Sequence, residues 1–211
     1  MISPRACFRY CLIPLILLFS TQAGAEIITQ TIEYRQGDTV LEGYLAYNTS
    51  GPAHKPSVLI VHDWMGLGSY AKNRADQLAR LGYVAFAADI YGKGVRPDNP
   101  KDAATTAAIY KNNRVLLRER IKAALDELRR QQMVDTGKIA AIGYCFGGTT
   151  VLELARSGAD VRGVVSFHGG LDTPSPQDAK NIRSKVLVLH GADDPYVPAE
   201  QIKAFEDEMR G

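Results

Sequence analysis

Cysteine is scarce in this chain of 211 residues. There are three, and two of them, Cys7 and Cys11, fall in an N-terminal segment that has the pattern of a removable leader. Without that leader Cys145 is the only cysteine, which excludes an internal disulfide. A lone thiol in an oxidising compartment is a liability unless it is buried or used for chemistry. The surroundings of Cys145 in the sequence are therefore informative.

An excess of charge of one sign is also lacking. The formal net charge is +2, and Arg5 and Arg9 of the leader account for it, so residues 26–211 have a net charge of zero (2 − 2). This balance argues against a nucleic-acid partner. Internal repeats and low-complexity tracts are absent as well, and the length suits one domain.

The N-terminal segment resembles a secretory signal. Arg5 and Arg9 precede a short apolar run at 11–19, and Ala23-Gly24-Ala25 supplies small residues for cleavage before Glu26. The apolar run is too short for a comfortable transmembrane span, although an uncleaved anchor is the alternative. We predict a signal peptide over 1–25, a periplasmic or secreted domain over 26–211, and no membrane attachment after cleavage.

Strands and helices alternate along the rest of the chain. Two alternating apolar–polar runs at 26–35 and 39–47 predict an antiparallel hairpin, and continuous apolar runs at 57–61 and 83–88 predict strands covered on both faces. We therefore predict an α/β fold with a mostly parallel sheet and an antiparallel hairpin at its N-terminal edge. Ligands of such sheets bind beyond the carboxyl ends of the strands. Chemically useful side chains follow three predicted strands, at 62–64, at 145 and at 190–194.

The sequence GYCFGG at 143–148 has the pattern of a nucleophile elbow. Cys145 lies between a predicted strand and a predicted helix, with glycine at i−2 and i+2, where side chains would collide with the neighbouring strand and helix. The start of a helix favours a thiolate, which is the reactive form. Backbone N–H groups of Phe146 and Trp64 are the predicted oxyanion donors. The alternative is an inert core cysteine.

An acid is expected near the elbow, where Asp193 and Asp194 follow the predicted strand at 185–189. Its task would be to orient a histidine and to stabilise the imidazolium. Asp-Asp-Pro is also good turn chemistry, so a turn-forming role is the alternative for either residue.

Four segments together resemble the dienelactone hydrolase family of the α/β-hydrolase superfamily. They are residues 58–66, 82–91, 143–148 and 190–198, and the likeness extends over nearly all of 30–211. The resemblance implies an α/β-hydrolase fold and hydrolysis of a small ester or lactone, without metal or cofactor. It makes Cys145 the nucleophile, Asp194 the triad acid and Asp63 a carboxylate that contacts the thiol. Lys93, with Arg96 as second choice, would bind the carboxylate of an acidic substrate.

The resemblance also implies a histidine beyond the acid, and this sequence has none there. Its histidines are His54, His62, His168 and His190. We predict a C-terminally truncated member of the family that lacks the last strand and helix, leaves the strand at 185–189 as an exposed edge, and hydrolyses poorly. A complete form is expected to be a monomer. His62, on the predicted oxyanion loop, is the best-placed substitute base, whereas His168 and His190 are predicted to shape loops. The competing hypothesis is a non-catalytic protein that binds small molecules or senses redox state through its thiol.

Overall fold

A computed structural model describes residues 26–210, so the predicted signal peptide lies outside the described residues. Seven strands form one sheet in the order β1-β2-β4-β3-β5-β6-β7. The pairs β1–β2 and β2–β4 are antiparallel and the other four pairs are parallel. This confirms the predicted α/β fold with an antiparallel N-terminal hairpin.

The elements alternate as the sequence predicts. The strands are β1 Ile27–Gln36, β2 Thr39–Asn48, β3 Lys55–Val61, β4 Val84–Ala88, β5 Val134–Tyr144, β6 Gly163–Phe167 and β7 Lys185–Leu189. The α-helices are α1 Ser69–Arg80, α2 Pro100–Lys111, α3 Arg114–Arg130, α4 Phe146–Arg156 and α5 Ala199–Arg210, and a short 3-10 helix spans Pro176–Asn181. Within the described residues, no helix is long and apolar enough to cross a membrane.

Residues 58–61 of strand β3 are all apolar because helices cover both faces of the sheet. Val58 and Ile60 pack on one face with the alanines of α1, which are Ala71, Ala75 and Ala79. Leu59 and Val61 point to the other face and join the larger core, to which α3 and α4 contribute. The alternation follows from the two-residue period of a strand.

The helical stretch over 100–130 is divided into two helices, α2 and α3. It breaks at Asn112 and Asn113, and the side chain of Asn113 caps α3 by accepting a hydrogen bond from the N–H of Leu116 (3.0 Å). Asparagine suits this position because its side chain replaces the missing intrahelical acceptor. The break ends α2 at Lys111, close to the carboxyl edge of the sheet.

Three histidines and the cysteine follow strand ends at that edge. Tyr144 pairs with Phe167, and Phe167 pairs with Leu189, in continuous parallel register. The residues that follow, Cys145, His168 and His190, therefore leave the sheet side by side. His62 follows β3 at the same edge.

Strand β7 lies at the edge of the described sheet and pairs with β6 alone among residues 26–210. Leu187 and Leu189 are about half exposed on it. The expected exposed edge is thus present in the part of the chain that the structure describes.

Helix α5 is anchored on α4 by a buried cation. The guanidinium of Arg156 donates to both carboxylate oxygens of Glu208, each at 2.7 Å, to Glu153 at 3.0 Å and to the carbonyl of Leu171 at 3.1 Å. The side chain of Arg156 is 0% exposed. Since α5 follows directly after the segment that carries Asp194, this anchor also holds that segment over the site.

Candidate active site

Cys145 is held in strained backbone geometry between β5 and α4. Its φ is 54° and its ψ is −113°, in a region that non-glycine residues rarely occupy. A Cβ at Gly143 would lie 2.0 Å from the carbonyl oxygen of Gly147, and one at Gly147 would lie 2.4 Å from that of Val61. The predicted need for glycine on both sides of the nucleophile position is confirmed.

The elbow opens into a cavity of about 490 Å³. Its lining combines an apolar wall with a few polar groups, as small-molecule sites usually do. The lining residues are Trp64, Ala104, Ala107, Ala108, Lys111, Asn112, Cys145, Phe146, Thr149, His168, Gly170, Tyr196 and Val197. A second groove, of about 580 Å³, lies between β7 and α5 and is lined by neither cysteine nor histidine. Of these two cavities in residues 26–210, the one at Cys145 has the reactive groups.

Burial raises the pKa of the Cys145 thiol, and the charges of Asp63 and Asp194 raise it further. The N–H of Phe146 and the ammonium of Lys111 act in the opposite direction but do not compensate. The helix start does favour the thiolate, as the sequence suggested, but desolvation outweighs this effect. The resting residue is a neutral thiol, and its use as a nucleophile requires a base.

The two predicted oxyanion donors both border the cavity. Phe146 is the first residue of α4, so its N–H has no acceptor inside the helix and lies against the sulfur of Cys145. Trp64 lies on the loop after β3, where the hydroxyl of Tyr91 donates to its carbonyl (3.0 Å) and holds the loop in place. The structure places both residues at the cavity that Cys145 lines, and their role as oxyanion donors remains a prediction.

Asp194 lies where the elbow pattern expects an acid. Its Oδ1 accepts a hydrogen bond from the N–H of Tyr196 (2.9 Å), and its Oδ2 lies 2.5 Å from Nδ1 of His168 and 3.8 Å from Nε2 of His190. The N–H of Tyr196, followed by the two imidazoles, lowers the pKa of this carboxyl group. Asp194 therefore forms the turn that the sequence allowed and also faces histidine, whereas Asp193 is exposed.

His62 is not available as a base, which corrects the sequence prediction. The side chain is buried, with 1% of the residue exposed. Its Nδ1 lies 2.6 Å from the carbonyl oxygen of Asp63, and its Nε2 accepts from the N–H of Ile90 (3.3 Å). Burial lowers its pKa, so the imidazole is neutral with both nitrogens engaged by backbone. Its place on the loop was visible in the sequence, but these two partners were not.

Lys93 was predicted to bind the carboxylate of an acidic substrate, but it does not line the cavity. Its ammonium pairs with Glu33 on β1, and the side chain is about half exposed. Arg96, the second choice, donates to the carbonyls of Leu67 and Val95 instead.

The cation that lines the cavity is Lys111 at the end of α2. Sequence reasoning missed it because only the packing of α2 brings it there. Lys111 forms no ion pair within residues 26–210, so its charge is available to the cavity.

Asp63 lies near the thiol, since its charge raises the thiol pKa, but it makes no hydrogen bond to the sulfur within the described part of the chain. Its Oδ1 accepts from the N–H of Met65 (2.8 Å) and so shapes its own loop. Asp63 therefore acts on the thiol through its charge and not through a hydrogen bond in this geometry. Among residues 26–210, no group of three or more His, Cys, Asp or Glu side chains could hold a metal ion.

A strained nucleophile position on a strand–turn–helix elbow, at the carboxyl edge of a mostly parallel sheet, defines a hydrolase of the α/β-hydrolase type. Comparison of the sequence with models of known protein families identifies the family. The model of the Dienelactone hydrolase family matches residues 41–211, and the chain belongs to this family.

Relatives agree with this assignment. The chain is 30% identical over 178 residues to Protein usf of Aquifex pyrophilus, covering 82% of this chain and 75% of the relative. It is 29% identical over 175 residues to a carboxymethylenebutenolidase homolog of Mus musculus, covering 81% of this chain and 69% of that one. A solved dienelactone hydrolase-like promiscuous phosphotriesterase from metagenomic libraries is 41% identical, with a TM-score of 0.83, covering 89% of this chain and 77% of that one.

Proposed function

We propose that this protein is an exported hydrolase that cleaves a small ester or lactone through Cys145. The observation that carries the proposal is the elbow itself. A cysteine is held at a φ of 54° at the mouth of a cavity, with the N–H of the next residue against its sulfur. Structural cysteines have no need of such strain, whereas nucleophiles are often held in it.

The chemistry would proceed through a thioester. The sulfur of Cys145 attacks the carbonyl carbon, and the N–H groups of Phe146 and Trp64 stabilise the oxyanion of the tetrahedral intermediate. Its collapse expels the alcohol portion of the ester and leaves an acyl group on sulfur. Water then attacks the thioester and releases the acid. Loss of one oxyanion donor costs about 10²–10³ in kcat in enzymes of this kind.

Lys111 favours substrates that carry a carboxylate of their own. It is a cation on the cavity wall, with its ammonium near Gly170, in surroundings that are otherwise mainly apolar. A carboxylate bound there would lie near the nucleophile, since the charge of Lys111 acts on the thiol. We therefore include acidic lactones and aryl esters among the expected substrates.

The decisive experiment compares the full chain with Cys145→Ala and Cys145→Ser. The wild type should hydrolyse p-nitrophenyl acetate or a lactone such as dihydrocoumarin, and a brief reaction followed by mass spectrometry should show an acyl group on Cys145. Cys145→Ala should lose both signals. Turnover that persists in Cys145→Ala at the wild-type rate would sink the nucleophile assignment. An aryl phosphotriester belongs in the same panel, because the name of the metagenomic relative describes a promiscuous phosphotriesterase.

Export is proposed from residues 1–25 and has its own test. Expression of the whole chain followed by cell fractionation should place it outside the cytoplasm with Glu26 at its N-terminus. Recovery of the chain in the cytoplasm with Met1 retained would refute this part. Size-exclusion chromatography of the same material tests whether it is a monomer.

The competing thiol-sensor function receives less support. Redox-sensing cysteines are accessible and have a low pKa, so that the oxidisable thiolate is populated. Burial raises the pKa of Cys145 instead. A protein that binds small molecules without turnover would show saturable binding of a lactone with no acyl-enzyme, which the same mass spectrometry detects.

A further inference from the structure

The loop after β3 begins with a buried imidazole that the proposed chemistry leaves unused. His62 is 1% exposed, and burial lowers its pKa, so the ring is neutral. A neutral imidazole offers one hydrogen-bond donor and one acceptor. Because backbone groups engage both ring nitrogens, the ring is suited to hold the backbone in place and not to move protons.

The partners of this ring fix its tautomer. The carbonyl oxygen of Asp63 can only accept, so Nδ1, which lies 2.6 Å from it, carries the proton. The N–H of Ile90 can only donate, so Nε2 accepts from it at 3.3 Å. One tautomer satisfies both partners. Since Val61 and Ala88 are register partners, His62 ties the loop after β3 to the loop after β4 just beyond the point where the two strands end.

The hydrogen bond to Asp63 orients the peptide that carries a predicted oxyanion donor. The carbonyl of Asp63 and the N–H of Trp64 belong to one planar trans peptide, so they point in opposite directions. Because the carbonyl points to the buried ring, the N–H of Trp64 points away from it, on a residue that lines the Cys145 cavity. The same carbonyl also accepts from the N–H of Gly66, at the longer distance of 3.3 Å.

The following peptide is fully engaged. Its carbonyl, on Trp64, accepts from the hydroxyl of Tyr91 (3.0 Å), and its N–H, on Met65, donates to Oδ1 of Asp63 (2.8 Å). Of the four polar groups in the two peptides around Trp64, only the N–H of Trp64 forms no hydrogen bond within residues 26–210. Backbone N–H groups are obligatory donors, so one left free at a cavity is suited to receive an oxyanion.

The packing of the imidazole connects the two predicted donors. Its ring stacks on the ring of Phe146, with the centroids 5.8 Å apart and the planes at 17°. Its other neighbour is the ring of Tyr91, edge-on at 4.8 Å and 69°. Phe146 carries one predicted donor, and His62 holds the peptide of the other. A single side chain therefore fixes the position of one donor relative to the other.

We propose that His62 is a positioning residue that aims the N–H of Trp64 at the oxyanion, which rests on the proposed function. His62 itself transfers no proton. Its hydrogen bonds are in place before the substrate binds, so the donor needs no reorganisation when the tetrahedral intermediate forms. Loss of a donor costs about 10²–10³ in rate, and a misplacement of about 1 Å costs about 10². Since Gly66 would still hold the Asp63 carbonyl, we expect the lower value.

Two substitutions separate the two hydrogen bonds of the ring. Asparagine places its amide nitrogen where Nδ1 is, since both are bonded to Cγ, so His62→Asn can still donate to Asp63 but cannot reach Ile90. Glutamine places its amide oxygen near the position of Nε2, so His62→Gln can still accept from Ile90 but cannot hold the carbonyl. Acylation of Cys145 by p-nitrophenyl acetate should slow about 10²-fold in His62→Gln with KM unchanged, and much less in His62→Asn. Thermal stability should follow the reverse order, because asparagine leaves the larger cavity.

A second reaction of the same thiol serves as the internal control. Iodoacetamide alkylates sulfur at a methylene carbon and forms no oxyanion, so Cys145 should be alkylated at the wild-type rate in both variants. His54→Gln, in an exposed connector, makes the same replacement away from the site and should match the wild type in every measurement. Circular dichroism verifies that each variant folds.

The outcomes separate the two proposals. A wild type that forms no acyl-enzyme refutes the proposed function and this role together. An acyl-enzyme that forms at the wild-type rate in folded His62→Gln refutes the role of His62 alone. The role is also overturned if His62→Asn slows acylation as much as His62→Gln does, or if alkylation slows as much as acylation, because both results would reflect general damage to the site. If His62→Asn does not fold, the comparison of acylation with alkylation in His62→Gln decides the question.

Discussion

Replacement of Arg156 by methionine should destabilise the protein strongly, because it removes the cation between α4 and α5. Two carboxylates depend on it, Glu153 and Glu208, whose side chains are almost fully buried. Glu153 keeps a second partner, the guanidinium of Arg118 at 2.8 Å, so only Glu208 is left uncompensated. Breaking a buried ion pair by removing one partner costs about 3–5 kcal/mol. With one carboxylate still paired, we expect the lower end, about 3 kcal/mol.

Urea unfolding followed by fluorescence of Trp64, the only tryptophan, measures this cost. With a slope of about 1–3 kcal/mol per molar urea, the midpoint should fall by roughly 1–3 M at an unchanged slope. Arg210→Met is the matched control, since it removes an arginine from α5 whose partners, Glu206 and Asp207, are solvent-exposed. It should leave the midpoint unchanged. If Arg156→Met shifts the midpoint no further than Arg210→Met does, the buried network does not anchor α5.

Three more outcomes follow from the site. Alkylation of Cys145 should show a pH midpoint above the ordinary cysteine value, and Asp63→Asn should lower that midpoint by removing a negative charge; an unchanged midpoint would contradict the placement of Asp63. Lys111→Met should raise KM for a carboxylate-bearing ester roughly tenfold while leaving that of a neutral ester unchanged, and equal effects on both would remove its role in charge recognition. Gly147→Ala should lower Tm by several degrees, because its methyl group would meet the Val61 carbonyl at 2.4 Å; Gly68→Ala, with a nearest neighbour at 3.8 Å, is the control.

The features that depend on local backbone chemistry could be predicted from the sequence. The elbow is one, because glycine at 143 and 147 is required by contacts of 2.0 and 2.4 Å to backbone atoms that any such turn brings close. The hairpin is another, since Gly37 supplies the positive φ that its turn needs. Asp194 was also within reach, because its distance from the end of β7 reflects the turn that it forms with Tyr196.

The charges of the site could not be predicted, because they depend on packing between distant elements. Lys111 reaches the cavity only because α2 ends beside the carboxyl edge of the sheet, and nothing in the sequence around it signals that position. Lys93, which did carry a signal, pairs with Glu33 on a strand far from it in sequence. The position of His168 on the cavity wall does have a signal in the sequence, because His168 follows its predicted strand as Cys145 does.

The raised pKa of Cys145 changes how the reactivity of this thiol can be understood. At a helix start, backbone dipoles alone would favour a thiolate, which is also the species that oxidants attack. Burial and two neighbouring carboxylates reverse that balance, so the resting sulfur is protonated and poorly oxidisable. The same protonation makes it a weak nucleophile, so reactivity has to come from proton transfer to a base at the moment of attack. Burial of the thiol therefore protects it from oxidation at rest and makes its reactivity depend on a base.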